Sequence, residues 1–237
     1  MEHSWVTPVL DHGFVELVES MGSDLRAVEA ARVSFQKGLS SKRRDRALID
    51  YLMEHNHLSP FEHIVFTFRI KTPLFVARQW LRHRIASVNE ISQRYSEMEE
   101  EFYIPDAIRG RDPVNHQGSV PIEDPALQDW YIQTVQNTSH SSYRSYHEAL
   151  EKGISREMAR IILPLNLYTQ WMWTVNLRSL MNFLSLRADS HAQWEIQQYA
   201  QAIARFVERT CPWSYTSFLA YQYQGDRLQN QQERDGR

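Results

Sequence analysis

The chain has 237 residues, 42% hydrophobic and 23% charged, with a formal net charge of -3. That length fits one large domain or two small ones, and no linker divides it. The slight acidity argues against general nucleic-acid binding, which needs a basic footprint, and the single cysteine, Cys211, excludes an intrachain disulfide and a Cys-rich metal site.

One cysteine fits a reducing compartment. The opening MEHSWVTPVL lacks the basic and apolar regions of a signal peptide, and no apolar stretch reaches the length of a membrane span. A cytoplasmic protein with no membrane or nucleic-acid partner is expected. The basic residues divide into 22 Arg and 4 Lys. Base composition alone can produce that bias, so only clustered arginines point to phosphate recognition.

A short strand is predicted over 14–18, ended by Met21 and Gly22. Asp24 is a plausible N-cap for a helix to about 33. A second helix is predicted over 41–54, with Leu48, Ile49, Leu52 and Met53 as its buried stripe and Lys42, Arg43, Arg44, Asp45 and Arg46 in solvent. The loop after it holds His55, His57, Ser59, Glu62 and His63. Three His and a Glu invite a metal hypothesis, but structural zinc sites recruit Cys or helix-spaced His, so no metal is expected. Residues 63–71 alternate: Ile64, Phe66, Phe68 and Ile70 share one face of a half-buried strand. Thr72 and Pro73 then open a helix to about 82. Leu74, Ala77 and Leu81 should meet the sheet, with Phe75, Arg78, Gln79 and Arg82 opposite.

Residues 101–104 read as a strand and 105–123 as a long loop. Asp124 and Pro125 open a helix to about 152, with Leu127, Trp130, Tyr131 and Leu150 on its apolar side and Gly153 ending it. Ser155 starts a short helix carrying Arg160, stopped by Pro164. Residues 168–175 form a strand with Trp171, Trp173 and Val175 on one face. Asn176 is a natural N-cap for a helix over 177–186, on which Arg178 and Asn182 share a face and Arg187 sits at the end, where a cation also suits the helix dipole. Asp189 or Ser190 caps a last long helix to about 209, with Ala192, Ile196, Tyr199, Ile203 and Phe206 as its stripe. The tail over 224–237 is polar and reads as frayed.

The densest chemistry lies in residues 82–95, RHRIASVNEISQRY. Arg forks match phosphate and carboxylate, and Ser, Asn and Glu can hydrogen-bond a base or sugar. A helix C-terminus would explain Arg82, His83 and Arg84 but not the polar run that follows. No Gly-rich dinucleotide fingerprint, P-loop or nucleophile elbow occurs. Cys211 has no basic neighbour closer than Arg209 and reads as a buried small hydrophobe.

The pattern R-H-R-x-x-S-x-N-E-x-S-x-R-Y resembles the signature of the flavin-dependent thymidylate synthases. Arg82, His83, Arg84, Ser87, Asn89, Glu90, Ser92, Arg94 and Tyr95 match its fixed positions. The resemblance runs from Gly13, Phe14 and Val15 to Cys211, Pro212 and Trp213, and thins between about 105 and 147. It implies an α+β fold over 1–223, an antiparallel sheet flanked by helices, assembled as a homotetramer with shared active sites. It implies methylation of dUMP to dTMP without a Cys nucleophile, with methylenetetrahydrofolate as one-carbon donor, FAD as hydride carrier and NADPH as reductant. Carried over, Ser59, Arg82, His83, Arg84, Asn176, Arg178 and Asn182 match FAD-contacting positions, with His57 and His191 as further flavin-side residues. Glu90 falls between flavin and nucleotide. Gln79, Arg82, Ser92, Gln93, Arg94 and Arg160 match dUMP-binding positions. Arg187 matches the residue that favours ionisation at uracil N3, and with Ser92 is the catalytic candidate. Two other classes stand beside this reading: a metal-dependent nucleotide hydrolase using His55, His57 and His63, and an RNA-binding protein using the Arg cluster.

Overall fold

The computed structural model describes residues 5–33, 38–113 and 118–228. A five-stranded antiparallel sheet is its frame. β1 (Val6–Val9) and β2 (Gly13–Met21) form a hairpin, β3 (Val65–Pro73) and β7 (Tyr168–Asn176) are central, and β4 (Ser87–Glu90) is the far edge, in the order β1-β2-β3-β7-β4. β2 runs three residues beyond the expected end, because pairing with β3 continues to Met21 across a register shift after Leu17. β3 and β7 pair over their whole length, placing Phe66 against Val175, Phe68 against Trp173 and Ile70 against Trp171.

Alternation decides which face is covered. Ile64, Phe66, Phe68, Ile70, Trp171, Trp173 and Val175 are all buried, as period-two patterning requires. Three helices pack over that face: α3 (Leu74–Trp80), α6 (Leu177–Arg187) and α7 (Trp194–Thr210). α1 (Asp24–Arg32) and α2 (Lys42–Glu54) close one end. α7 buries Ile196, Tyr199, Ile203 and Phe206 as expected, but its N-cap is Gln193, later than Asp189 or Ser190. In α2 the stripe holds, except that Asp45 is buried and paired to Arg32 at 2.6 Å rather than solvated.

α3 turns a different face inward from the one expected. Val76, Ala77 and Trp80 are buried, while Leu81 is exposed. Trp80 lies edge-on to Trp171 and Trp173 and tilted against Phe183 at 4.7 Å. An indole removes ~200 Å² from water, at most about 5 kcal/mol at 25 cal/mol per Å². Its buried N–H has no hydrogen-bond partner among the described residues, a cost of roughly 1–3 kcal/mol. The area term wins, and Leu81 cannot match it.

The predicted strand over 101–104 is reduced to one bridge, Phe102 to Leu167. The predicted loop over 105–123 contains a hairpin, β5 (Arg109–Arg111) with β6 (Ser119–Pro121). α4 (Pro125–Glu151) is capped by Asp124, which accepts from the amides of Ala126 and Leu127. Its expected apolar side is only partly used: Leu127, Trp130 and Tyr131 are exposed, and burial falls on Ser139, Tyr146 and Ala149. α5 (Arg156–Ala159) follows, then a 3-10 turn over Arg160–Ile162.

One helix went unread in the sequence: α8 (Pro212–Tyr221). Its first amides are taken by Asp24, which therefore caps α8 rather than its own helix. The backbone N–H groups of Trp213 and Ser214 donate to the Asp24 carboxylate at 2.9 and 2.8 Å, and the Ser214 hydroxyl donates at 2.6 Å. Burial pushes the Asp24 carboxyl up, and these hydrogen bonds pull it back part of the way. Residues 224–228 are docked rather than frayed, with the Ser190 amide donating to Asp226 and the Arg227 amide to the carbonyl of Ala188; 229–237 lie outside the described residues. No helix among the described residues is long and apolar enough to cross a membrane.

Candidate functional site

Two chain reversals build the site. In the first, α3 stops at Leu81, and the amide of His83 bonds back to the carbonyl of Trp80. Arg82, His83 and Arg84 are thrown out past the helix end before the chain enters β4. In the second, β7 ends at Asn176, whose side chain accepts from the amide of Ser179 at 2.9 Å. That cap starts α6, as its residue type predicts, and α6 carries Arg178, Asn182 and Arg187 along its length. β7 and β3 set the two reversals side by side.

Between them lies a cleft of about 1080 Å³. Arg82, His83, Arg84, Asn176, Arg178, Asn182 and Arg187 all line it. These seven were expected from the sequence. Four guanidiniums face one carboxylate there, Glu62, and Glu62 is already paired with Arg178. Arg82 and Arg84 have no ion pair among the described residues. Arg187 is half-buried, and its pKa is lowered by burial first and by the Arg82 charge second. Like charges converging in a cleft are unfavourable unless an anion joins them.

Arg187 is held in place. Its Nε donates to Nε2 of His83 at 3.1 Å, and Nη2 donates to the carbonyl of Gln79 at 3.3 Å. His83 must therefore be neutral at Nε2. Burial and the Arg187 charge bring it down to about 4, and the ring of Phe183 meets it edge-on at 5.0 Å.

Other expected residues stand outside this cleft. The Gln79 side chain hydrogen-bonds Gln193. Ser59 opens a 3-10 turn over Ser59–His63, and His57 lies beside Tyr51. His191 is exposed and bonded to Asp189. Glu90 accepts from the hydroxyl of Thr169 at 2.6 Å. Gln93 follows Ser92, whose hydroxyl accepts from the amide of Arg94. Arg94 pairs with Glu157 at 3.1 Å, three residues before Arg160. Neither Arg94 nor Arg160 lines the cleft. His55 stacks on Tyr51 at 4.1 Å, with the His57 ring 6.2 Å away, and among the described residues no group of three or more His, Cys, Asp or Glu is arranged to hold a metal ion.

The sequence reading named Glu62 only with the His-rich loop and missed Ser185, Met181, Phe218 and Gln222 in the cleft lining. Ser185 and Met181 were within reach, lying three residues on from Asn182 and Arg178 along one helix. Phe218 and Gln222 required α8, which Pro212 at its first position does signal. Cys211 is fully buried, and its thiol is pushed up by burial and by Asp24.

The family model described as thymidylate synthase complementing protein matches residues 16–213. A flavin-dependent thymidylate synthase of Thermotoga neapolitana is 58% identical over 221 residues, spanning 93% of this chain and 97% of the relative. One from Thermosipho melanesiensis is 56% identical over 220 residues, spanning 93% and 96%. Among solved structures, a UMP/dUMP methylase, PolB, from Streptomyces cacaoi bound with 5-Br dUMP superposes with a TM-score of 0.84. It is 33% identical, with 93% of this chain and all of that chain covered.

Proposed function

The chain belongs to the flavin-dependent thymidylate synthase family, and we propose that its four-guanidinium cleft is the place where FAD is held and dUMP is activated. The reaction is methylation of dUMP to dTMP, with FAD as the flavin. The observation that carries the site reading is the excess of guanidinium over carboxylate in the cleft. Its donor set fits FAD: Arg82 and Arg84 suit a pyrophosphate, and Asn176, Arg178 and Asn182 supply further donors and acceptors. Bound FAD supplies the hydride chemistry that no side chain here can perform.

The protein residues bind, orient and stabilise charge. Arg187 faces the uracil ring and stabilises negative charge that develops there as C5 becomes nucleophilic. His83 and the Gln79 carbonyl fix its fork. Ser92, Gln93, Arg94 and Arg160 take dUMP, with the two arginines on its phosphate. Glu90 stands between nucleotide and flavin, and Ser59, His57 and His191 approach the flavin side. Methylenetetrahydrofolate supplies the carbon and NADPH the electrons. Cys211 takes no part, since a buried thiol with a raised pKa is a poor nucleophile.

Arg94 and Arg160 are not among the residues that line the cleft in one chain. The reading therefore includes a homotetramer in which one copy's dUMP residues complete another copy's cleft. Equilibrium dialysis against FAD, followed by an assay of dTMP formation, tests the core of it. A yellow protein that makes dTMP only when dUMP, a methylene folate and NADPH are all present is expected; failure to take up FAD overturns the site reading.

A further inference from the structure

α8 supplies part of the cleft wall. Phe218 and Gln222 line the cleft, and Gln224 follows from the end of the helix. None belongs to residues 82–95 or to the turn at Asn176. Their position depends on what holds α8, and its own sequence does little. The N-cap residue, Cys211, makes no side-chain cap, so the amides of Trp213 and Ser214 would be orphaned. Asp24 takes both, from 189 and 190 positions away. Further along, the Ser217 hydroxyl donates to Asp50 at 2.8 Å and the Gln222 side-chain Nε2 to the carbonyl of Met53 at 2.6 Å. Just beyond α8, the Tyr223 hydroxyl donates to the carbonyl of Ala188, the residue after Arg187. The wall is thus hung between α1, α2 and the end of α6.

We propose that Asp24 is a positioning residue for the cofactor cleft: by capping α8 from α1, it sets where Phe218 and Gln222 stand in the wall. The proposal rests on the reading of this cleft as the FAD site. The chemistry at the cap requires a carboxylate. Three donors converge on its two oxygens, and an ionised carboxylate is acceptor-only. An Asn has the same shape, but its NH2 would face either the Trp213 amide or the Ser214 donors. Asp24→Asn therefore loses a hydrogen bond and gains a donor-donor conflict without changing volume.

The experiment measures FAD affinity by flavin fluorescence titration and α8 amide protection by hydrogen exchange. It uses the full chain, wild type and Asp24→Asn. The expected result is a roughly fivefold to tenfold weaker FAD affinity, the scale of one lost cap, with protection lost over 213–222. Ser214→Ala removes only the hydroxyl contact; it should show the same changes at smaller amplitude, and it decides the matter if Asp24→Asn does not fold. Ala149→Gly, a helix-weakening change in α4 away from the cleft, is the comparison for a purely structural effect. It should lower thermal stability and leave FAD affinity unchanged. If Ala149→Gly weakens FAD as much as Asp24→Asn, or if Asp24→Asn and Ser214→Ala both bind FAD like wild type, the proposal is overturned. Wild-type protein that takes up no FAD would instead sink the reading of the cleft, and the proposal with it.

Discussion

Arg187 and the two arginines proposed for the dUMP phosphate, Arg94 and Arg160, should separate in kinetics, because the charges assigned to them behave differently. A phosphate is charged throughout the reaction, whereas charge on the uracil ring develops on the way to the transition state. Arg187→Ala should lower turnover at saturating dUMP by on the order of 100-fold, the scale of one preorganised donor. Arg187→Lys should rescue poorly, since an ammonium cannot replace a fork held at Nε and Nη2. Arg94→Ala and Arg160→Ala should mainly weaken dUMP binding. Steady-state dTMP formation beside dUMP affinity reads the difference, and near-normal saturated turnover in Arg187→Ala would make that residue a substrate clamp. His83 gives a second test, in pH. Its folded pKa is near 4 against an ordinary 6.5, so between those values the unfolded chain binds the proton more readily. The stability that neutral His83 contributes is fully present above about 6.5 and is lost as pH falls toward 4. Urea midpoints of the ligand-free protein should fall across that window, and His83→Gln should flatten the slope.

The elements that frame the cleft were legible where one pattern dominated. The alternation Ile64, Phe66, Phe68, Ile70 named the buried face of β3, and Asn176 announced the start of α6. The cap can be separated from cofactor contact: Asn176→Ala should cost about 1 kcal/mol of stability and weaken FAD. Asn176→Ser should restore the stability but not the affinity, as read by thermal melts and FAD titration. Legibility failed where tertiary partners chose between local alternatives. α3 has apolar residues on more than one side, and only the cluster of Trp171, Trp173 and Phe183 shows that Trp80 goes inward. Asp24 reads as a cap, which it is, but for a helix nearly the whole chain away. The family motif located Arg82, His83 and Arg84 but carried no information on Glu62 or α8. Those residues join the cleft through folding and not through spacing.

At the scale of the molecule, the absence of Arg94 and Arg160 from the cleft lining has a quantitative reading. If sites are completed between copies, dTMP formation per chain should fall on dilution in step with dissociation of a tetramer. Light scattering and activity measured over the same concentrations check this, and a fully active monomer rules it out. The strand that carries the motif is an open sheet edge, with all four residues of β4 exposed, so a dissociated chain should also associate non-specifically. The link from Asp24 to Ser214 bears on how the protein is made. A nascent chain emerges from its first residue onward, and the buried carboxylate of its first helix gains its hydrogen-bond donors only once positions 213 and 214 have been synthesised. β3 waits in the same way for β7, about a hundred residues later. Contacts this distant in sequence are slow to close. The first two hundred residues should therefore gain no cooperative fold while still attached to the ribosome. A released fragment ending before Cys211 should unfold without a sharp transition, and folding should be largely a post-translational event.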